Sequence, residues 1–367
     1  MQLNRRLERL DTRLQSIPAD AVNSLVTQIA TIDEFKGWWS GRGLPAPAMR
    51  KDVHATVAVS ALASTQIGGR NTTVAVAQRR LLRGRPLRDG RASAAVTAYA
   101  EVLATVFANY GGMRFSQELI LTLHERLLKD ARGNPSQRGR YKTVADTAAD
   151  YVRRKMESPA LRAADPDLTP QLMTAATDWT ARRLAGDDFH PLLVIAAFIL
   201  ELLAIRPFVD GNGRLSRILT NLLLLQCGYT YVPYASLERV IADRWAEYYL
   251  GLRRSQATAS LPRPDIAPWL HVFLDVLQVH AEQLRRMLAS RTDDTRLSRN
   301  QLAVLALLER DEELTNRLVC RALNLPKDTA KQVLGRLATL NLVQRVGAGR
   351  AARYRKVAPQ ADDGSAR

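Results

Sequence analysis

The sequence predicts a mainly α-helical protein with a small β component close to its C-terminus. Two apolar runs, His190 to Ile205 and Leu215 to Cys227, exceed the usual length of a strand, which favours two buried helices. Between Asn300 and Val357, three helical patterns are followed by two short strand patterns around a glycine-containing turn. An apolar content of 46% over 367 residues supports sizeable cores and two or more domains.

Composition narrows the classes of function. The apolar runs are broken by charge before they reach the length of a membrane span, and no signal peptide opens the chain, so we expect no membrane association. The two cysteines, Cys227 and Cys320, stand in apolar helical contexts, which predicts no disulfide and fits the cytoplasm. The excess of 53 basic over 36 acidic residues indicates a polyanionic partner, or the solvated surface of an arginine-rich protein from a GC-rich genome.

The two apolar helices are joined by residues 206–217, which read Arg-Pro-Phe-Val-Asp-Gly-Asn-Gly-Arg-Leu-Ser-Arg. The two glycines permit a tight turn whose backbone amides point at the start of the second helix. Arg214 and Arg217 share one face of that helix. A helix N-terminus with exposed amides and two guanidinium groups predicts a phosphate site, and Asp210 could hold a magnesium ion that bridges these phosphates.

This segment resembles the signature loop of the Fic family, His-Pro-Phe-x-Asp-Gly-Asn-Gly-Arg-x-x-Arg, with one departure at its first position. The resemblance implies a Fic helical core with a short β-hairpin flap. It also implies transfer of AMP from ATP to a Ser, Thr or Tyr hydroxyl of an unidentified protein target. In this resemblance Asp210 holds Mg²⁺ and Phe208 anchors the loop in the core. The residues implied to bind the nucleotide phosphates are Gly211, Asn212, Gly213, Arg214 and Arg217.

Arg206 stands where the signature has the histidine that accepts the proton of the target hydroxyl. An arginine cannot accept that proton, because its pKa of above roughly 12 keeps the guanidinium charged. Arg206 therefore marks a catalytically dead nucleotide binder, an enzyme whose altered chemistry needs no base at this position, or an engineered substitution. Among the other histidines, His124 could approach the loop only through a tertiary fold that the sequence does not reveal.

A second departure lies upstream, in residues 60–69, which resemble the inhibitory helix that precedes the core of many Fic proteins. The family pattern is Ser/Thr-x-x-x-Glu followed by Gly or Asn, and Ser64 and Gly69 match it. Gly68 replaces the glutamate, which in the family pairs with the second arginine of the signature. We therefore expect Arg217 to be free for phosphate. In the alternative interpretation, the two glycines simply end a helix. Gly68, like Arg206, is either natural or engineered.

Two further segments extend the resemblance. Residues 32–39 look like the N-terminal segment of Fic proteins that carry the inhibitory helix. Residues 1–95 are accordingly predicted to form an N-terminal helical region, and residues 96–289 the Fic core. Residues 138–143 look like the start of the flap, but the Ala- and Asp-rich stretch behind them lacks the alternation of a strand.

The C-terminal part is predicted to contain a linker, a second domain and a tail. Residues 290–298 are polar, charged and without periodicity, which indicates a linker. The patterns within residues 299–357 follow the order of a winged helix-turn-helix and resemble the C-terminal domain of a Fic subgroup. Residues 358–367 are polar and are expected to be disordered.

Basic residues are concentrated in this second domain. Residues 297–357 contain twelve lysines and arginines against five acids. This charge suits contacts with DNA phosphates by the third helix and the wing. Winged helices also serve in protein docking and dimerisation, which leaves a homodimer as one option. The residues predicted to contact DNA are Lys327, Lys331, Arg336, Arg350 and Arg353.

The sequence thus leaves two functions open. The first is that of a Fic-type protein adenylyltransferase by lineage, which binds Mg-ATP but transfers AMP weakly or not at all because Arg206 replaces the base. The second is that of a nucleotide-responsive regulator whose winged helix reads DNA. The target protein, the DNA sequence and the oligomeric state cannot be read from one sequence.

Overall fold

A computed structural model describes residues 10–41, 47–67, 91–129, 135–145, 163–259, 261, 263–295, 298–339, 342–347 and 352–356. The chain divides into two compact units, residues 1–284 and 285–367. The predicted mainly α-helical class is confirmed, because helices dominate the described ranges. None of the helices in these ranges combines the length and the apolarity that a membrane crossing requires.

The regular secondary structure that the structure describes in the first unit is helical. In chain order its helices include α1 (Ala19–Ser40), α2 (Pro47–Ile67), α3 (Arg91–Asn109), α4 (Gln117–Leu127), α5 (Thr169–Ala185), α6 (Pro191–Ile205), α7 (Asn212–Gln226), α8 (Leu237–Asp243) and α9 (Trp245–Ala257). The two apolar runs that predicted buried helices correspond to α6 and α7. Residues 32–39 form part of α1.

Helix α6 lies in the core of the first unit. Pro191 occupies its first position, and His190 caps it by accepting a hydrogen bond from the amide of Leu192. Most residues from Leu192 to Ile205 are buried, since α5 and α7 both pack against this helix. A helix that is apolar on nearly all sides must be enclosed by others. The loop that follows Ile205 is therefore held between two buried helices.

Helix α2 joins the N-terminal region to this core. It packs against α3 and α8 and also contacts α7. Two fully buried serines lie one turn apart on it: Ser60, whose Oγ is 2.8 Å from the Oγ of Ser236, and Ser64. The described part of α2 ends at Ile67, so Gly68 and Gly69 lie outside the described residues.

Helix α10 (Ala267–Thr295) begins in the first unit, and the boundary between the units falls within it. The buried Trp269 fixes its start, because the indole donates a hydrogen bond to the Ala196 carbonyl on α6 at 2.8 Å. Within the predicted linker, residues 290–298, residues 290–295 continue α10 and are helical. The physical reason is that this polar stretch contains no glycine or proline to end the helix.

The second unit continues with α11 (Arg299–Leu308), β1 (Leu314–Thr315), α12 (Asn316–Leu323), α13 (Lys327–Thr339), β2 (Val343–Val346) and β3 (Arg353–Lys356). The strands form an antiparallel sheet in the order β1-β3-β2. Ser298 caps α11 in a capping box with Gln301, and Thr315 caps α12. The core of this unit comprises Val304, Leu308, Leu314, Val319, Ala330, Val333, Leu334, Leu337, Val343 and Tyr354.

The strands of the described residues all lie in this second unit. The segment predicted to open the flap, residues 138–143, has turn and extended conformations. Its backbone pairs with the signature loop, because the Lys142 amide donates to the Pro207 carbonyl at 2.9 Å. The remainder of the predicted flap falls within residues 146–162, and the predicted tail is 358–367; both ranges lie outside the described residues.

Candidate functional site

The loop between α6 and α7 takes a sharply turned path. Arg206 ends α6 in the left-handed region, at φ 50° and ψ 65°, which residues with a Cβ rarely adopt. Its amide still donates to the Leu202 carbonyl at 3.0 Å. At the other end, Gly211 has a φ of 88°, and a Cβ there would lie 3.3 Å from Nε2 of His124. Glycine at this position therefore permits the turn and leaves room for the imidazole.

The side chain of Asn212 closes this loop on itself. Its Oδ1 accepts a hydrogen bond from the Phe208 amide at 3.0 Å, and its Nδ2 donates to the Phe208 carbonyl at 2.6 Å. The residue is buried. Asn212 is predicted to contact phosphate, but its side-chain amide is committed to the loop backbone. What it offers a ligand is its backbone N–H, which belongs to the first turn of α7.

His124, from α4, packs against the loop and binds its backbone. Its ring stacks on Phe208 with 3.6 Å between the ring centroids and 13° between the planes. The Gly139 amide donates to Nδ1 at 3.1 Å, so the proton lies on Nε2, which donates to the Asp210 carbonyl at 2.9 Å. Burial lowers the pKa of His124 from 6.5 to about 4, and the nearby positive charge of Arg214 acts in the same direction.

Lys142 holds the other side of the loop. Its ammonium group is buried and donates to the carbonyl of Ile205 at 3.2 Å, at the C-terminus of α6. A cation is favourable there because the last carbonyls of a helix carry partial negative charge. Together with the bond from its amide to Pro207, this contact fixes the backbone on both sides of Arg206.

The start of α7 presents the features of an anion site. The amides of Asn212 and Gly213 belong to the first helical turn, where no intrahelical acceptor exists. Arg214 stands in the same turn, and its guanidinium donates to Oδ2 of Asp210 at 3.2 Å. The Asp210 carboxylate also accepts a hydrogen bond from the Gly211 amide at 2.7 Å. This arrangement can bind phosphate through amides and a guanidinium group on one side of the loop.

Arg217 lies one turn further along α7 and is buried. Its Nε donates to the hydroxyl of Ser64 and its Nη2 to the carbonyl of Ser64, both at 2.9 Å. The expectation that Arg217 is free for phosphate is therefore wrong for these two nitrogens. The absence of a carboxylate at position 68 suggested a free guanidinium group, whereas the hydroxyl and the carbonyl of Ser64 provide two acceptors.

Among the described residues of the loop, Asp210 carries the carboxylate that could hold a metal ion. Its side chain is 57% exposed, and carboxylate oxygen is a ligand that Mg²⁺ prefers. Within the described ranges, no three His, Cys, Asp or Glu side chains cluster to bind a metal by themselves. A magnesium ion on nucleotide phosphates needs only one or two carboxylates, because waters and phosphates supply its other ligands. The residues present thus fit a nucleotide-borne Mg²⁺.

Comparison with known proteins identifies this region. Residues 114–224 match the Fic/DOC family. These residues carry a Fic domain. Protein adenylyltransferase Fic from Nematostella vectensis is 33% identical over 110 residues, which cover 30% of this chain and 23% of that protein. The Drosophila willistoni protein of the same name is 32% identical over 104 residues, which cover 28% of this chain and 18% of that protein. The chain thus spans about a fifth of the length of the curated relatives it matches.

Solved structures agree with this fold. A Fic family protein from Desulfovibrio desulfuricans G20 superposes with a TM-score of 0.57 at 24% identity, covering 91% of this chain and 95% of that one. Fic-1 from C. elegans, residues 134–508, gives a TM-score of 0.54 at 21% identity, covering 75% of this chain and 74% of that one. At these identities the similarity supports a shared fold and carries no information about activity.

The structure brings most of the predicted site residues of the Fic domain together and adds three. The loop residues from Arg206 to Arg217 and Ser64 meet around the start of α7. His124 and Lys142, which bind the loop backbone, were not predicted, and Tyr141, whose ring lies 5.5 Å from that of Phe208, was not either. Tyr141 and Lys142 belong to residues 138–143, whose resemblance to the start of the flap was a signal without a role for either residue, whereas a single buried histidine has no distinctive spacing.

The predicted DNA contacts lie in the second unit. Lys327 and Lys331 are exposed on α13, Arg336 is half-buried on the same helix, and Arg350 lies outside the described residues. Arg353 on β3 is exposed but donates to Glu313 at 2.7 Å, and the neighbouring Arg355 pairs with the same carboxylate. These two arginines lower the pKa of Glu313. Two arginines of β3 are thus paired with an acid of the same unit, which partly neutralises their charge.

Proposed function

We propose that this chain binds Mg-ATP at the loop of its Fic domain and is an adenylyltransferase by lineage, with weak or absent transfer of AMP to protein hydroxyls. The observation that carries the proposal is Arg206 at the end of α6, next to the amides and guanidinium groups at the start of α7. The family resemblance puts the proton-accepting histidine at this position.

Binding of the nucleotide is assigned to groups that the loop already holds rigid. The amides of Gly211, Asn212 and Gly213 and the guanidinium groups of Arg214 and Arg217 would contact the phosphates. Asp210 would hold Mg²⁺, which, when bound, neutralises phosphate charge. The hydrogen bonds from the Asn212 side chain to the Phe208 backbone, and the stacking of the Phe208 ring on His124, hold these groups in place before a ligand binds.

Transfer requires that an alcohol oxygen form a bond to the α-phosphorus while pyrophosphate leaves, and that the alcohol give up its proton. Arg206 cannot accept this proton. His124 is the histidine beside the loop, but both of its ring nitrogens are engaged in hydrogen bonds to the backbone. The loss of a general base typically costs on the order of 10² to 10⁴ in rate. The expected consequence is a nucleotide site with little transfer activity.

The other histidines are engaged elsewhere or lie on the surface. His190 pairs with Asp33 at 2.9 Å, His271 lies 3.0 Å from Gln28, and the buried His280 contacts the Ala235 carbonyl at 2.9 Å. His54 is exposed on α2. This distribution supports the assignment of the missing base to position 206.

Labelled ATP tests the proposal. The unaltered chain and Arg206→His are incubated with ATP labelled on the α-phosphate and a cell lysate, and calorimetry measures Mg-ATP binding by both. We expect comparable binding by the two proteins and at least about 100-fold more labelling by the histidine variant. Arg206→Gln, which removes the charge without adding a base, is the control and should label no better than the unaltered chain.

Two results would contradict the proposal. Labelling by the unaltered chain at the level of the histidine variant would mean that another group accepts the proton. Absence of Mg-ATP binding at millimolar ligand would remove the nucleotide site itself.

We propose as a second candidate that the residues 299–357 form a winged helix-turn-helix that binds DNA, which would make the chain a nucleotide-responsive regulator. What favours it is the order of helices and strands in the second unit, with two exposed lysines at the start of α13. The pairing of Arg353 and Arg355 with Glu313 weighs against a contribution from β3. A homodimer is compatible with either candidate.

A further inference from the structure

The guanidinium group of Arg217 is held on one edge by a single residue of another helix. Its Nε binds the hydroxyl of Ser64 and its Nη2 binds the carbonyl of Ser64, each at 2.9 Å. Both residues are buried, at 5% and 0% exposure. Two parallel bonds from one edge of a planar fork determine the direction in which the rest of the fork points.

The opposite corner of that fork lies over the start of α7. A Cβ built on Gly213 would be 3.5 Å from Nη1 of Arg217, so this nitrogen lies directly above the first turn of the helix. That turn also carries the amides of Asn212 and Gly213, which have no intrahelical acceptor. Nη1 is therefore the nitrogen of Arg217 that is closest to the proposed phosphate site.

A buried polar network begins at the backbone carbonyl of Arg217 and includes an acid. Asn221 donates both to the Arg217 carbonyl and to Oε1 of Glu238, each at 2.8 Å, and Tyr99 donates to the same Oε1 at 2.7 Å. Glu238 is fully buried. The Tyr99 hydroxyl lies within electrostatic reach of both Glu238 and Arg217, and burial together with Glu238 raises its pKa while Arg217 lowers it. The buried acid and the buried guanidinium group therefore both act on the same tyrosine hydroxyl.

We propose that Ser64 is a positioning residue, which fixes Arg217 with Nη1 directed at the start of α7 and thereby sets the affinity of the site for nucleotide phosphates. The inference rests on the proposed function, since it concerns the same nucleotide site. In this inference the hydroxyl and the carbonyl of Ser64 orient the Arg217 side chain, and Arg217 in turn contacts the phosphates.

Calorimetric titration of Ser64→Ala with Mg-ATP and, separately, with adenosine tests the inference. Loss of the hydroxyl removes one of the two bonds that orient the fork, so we expect Mg-ATP binding to weaken about tenfold, in line with a hydrogen bond to a charged group. Adenosine has no phosphate for Arg217 to contact, so the substitution should change the affinity for adenosine less than about twofold. Ser60→Ala is the matched control: it lies one turn earlier on α2, is equally buried and bonds to Ser236 instead.

A double-mutant cycle shows whether Ser64 acts through Arg217. Arg217→Lys keeps the charge but loses the fork, so the Ser64 substitution should have no further effect on Mg-ATP binding in that background. Thermal melting verifies that each variant folds. Should Ser64→Ala not fold, Ser64→Cys, which keeps the volume but is a poor hydrogen-bond acceptor, is titrated in its place.

Four results would overturn the inference. Unchanged Mg-ATP binding by Ser64→Ala would mean that the bond is without consequence. An equal loss for ATP and adenosine would indicate general distortion, and additive effects with Arg217→Lys would mean that Ser64 acts elsewhere. Tighter binding would mean that Ser64 withdraws Arg217 from the phosphates. If the unaltered chain binds no Mg-ATP, the proposed function fails and this inference with it, an outcome distinct from the first four.

Discussion

At the scale of single residues, buried polar side chains hold the loop of the Fic domain by hydrogen bonds to its backbone. Asn212 binds both polar atoms of the Phe208 backbone, His124 binds the Asp210 carbonyl, and Lys142 binds the Ile205 carbonyl. Each of these groups satisfies a backbone atom that a tight turn would otherwise leave unpaired. The amides proposed to bind phosphate are thus fixed by hydrogen bonds from buried side chains around the loop.

His124 makes the stability of this unit depend on pH. Its pKa falls from 6.5 to about 4 on folding, so the folded state binds fewer protons than the unfolded state between these values. The stabilisation is fully present above the unfolded pKa and is lost as the pH falls through the folded one. Linkage predicts that lowering the pH from 7 to 5 removes about 2 kcal/mol through this group alone.

Urea unfolding of the unaltered chain and of His124→Gln at pH 7 and pH 5 measures this effect. The variant should lose about 2 kcal/mol less on acidification, because glutamine does not titrate. His54→Gln, on the surface of α2, is the control and should follow the unaltered chain. Identical pH dependence of the unaltered chain and His124→Gln would refute the assignment.

At the scale of secondary-structure elements, α2, α3, α7 and α8 meet around one buried polar network. Ser64 comes from α2, Tyr99 from α3, Arg217 and Asn221 from α7, and Glu238 from α8. The remaining oxygen of Glu238, Oε2, is buried without a hydrogen-bond partner among the described residues. An acid in that position is tolerated because a cation is part of the same network.

Glu238→Gln tests how strongly the packing of these helices depends on that charge. The substitution keeps the shape but removes the acceptor charge that Tyr99 and Asn221 bind and places an amide where no acceptor stands, so we expect a loss of roughly 3 kcal/mol in the free energy of unfolding. Chemical denaturation measures it. Glu101→Gln, which breaks an exposed pair with Lys129, should cost less than about 1 kcal/mol. Equal losses for the two variants would contradict the role of Glu238.

At the scale of the whole molecule, charge and domain order bear on the second candidate function. The chain carries a net charge of +17, and exposed basic residues occur in both units. A net positive charge by itself favours any polyanion and says little about a specific site. The distribution of that charge has to be tested, unit by unit.

Charge reversal distinguishes specific from general attraction to DNA. Lys327→Glu/Lys331→Glu on α13 should weaken binding to labelled genomic fragments about tenfold or more at low salt, and should lower the slope of log K against log salt by about one per lost phosphate contact. Arg126→Glu/Arg182→Glu makes the same change of charge on exposed residues of the first unit. Fluorescence anisotropy measures both. Equal weakening by the two pairs, or no binding by the unaltered chain, would rule out a DNA site on α13.

The sequence by itself determined the elements and the identity of the loop. Apolar length predicted α6 and α7, and the helical and strand patterns near the C-terminus predicted α11 to α13, β2 and β3, because these signals are local in the chain. The lack of periodicity over residues 290–295 did not reveal that these residues are helical, because polar composition does not prevent a helix. Signature spacing identified residues 206–217, in which Gly211 permits the positive φ of the turn and Asn212 binds the backbone of Phe208.

Only the tertiary structure decided which side chains surround that loop. His124 lies 86 positions from Asp210, and Ser64 lies 153 positions from Arg217. Contacts across such separations depend on how whole helices pack, and burial of one serine or histidine leaves no periodic trace in the sequence. The tertiary structure also corrected part of the expectation for Arg217, since two acceptors of Ser64 bind Nε and Nη2, an edge that the absence of a carboxylate at position 68 had suggested was open.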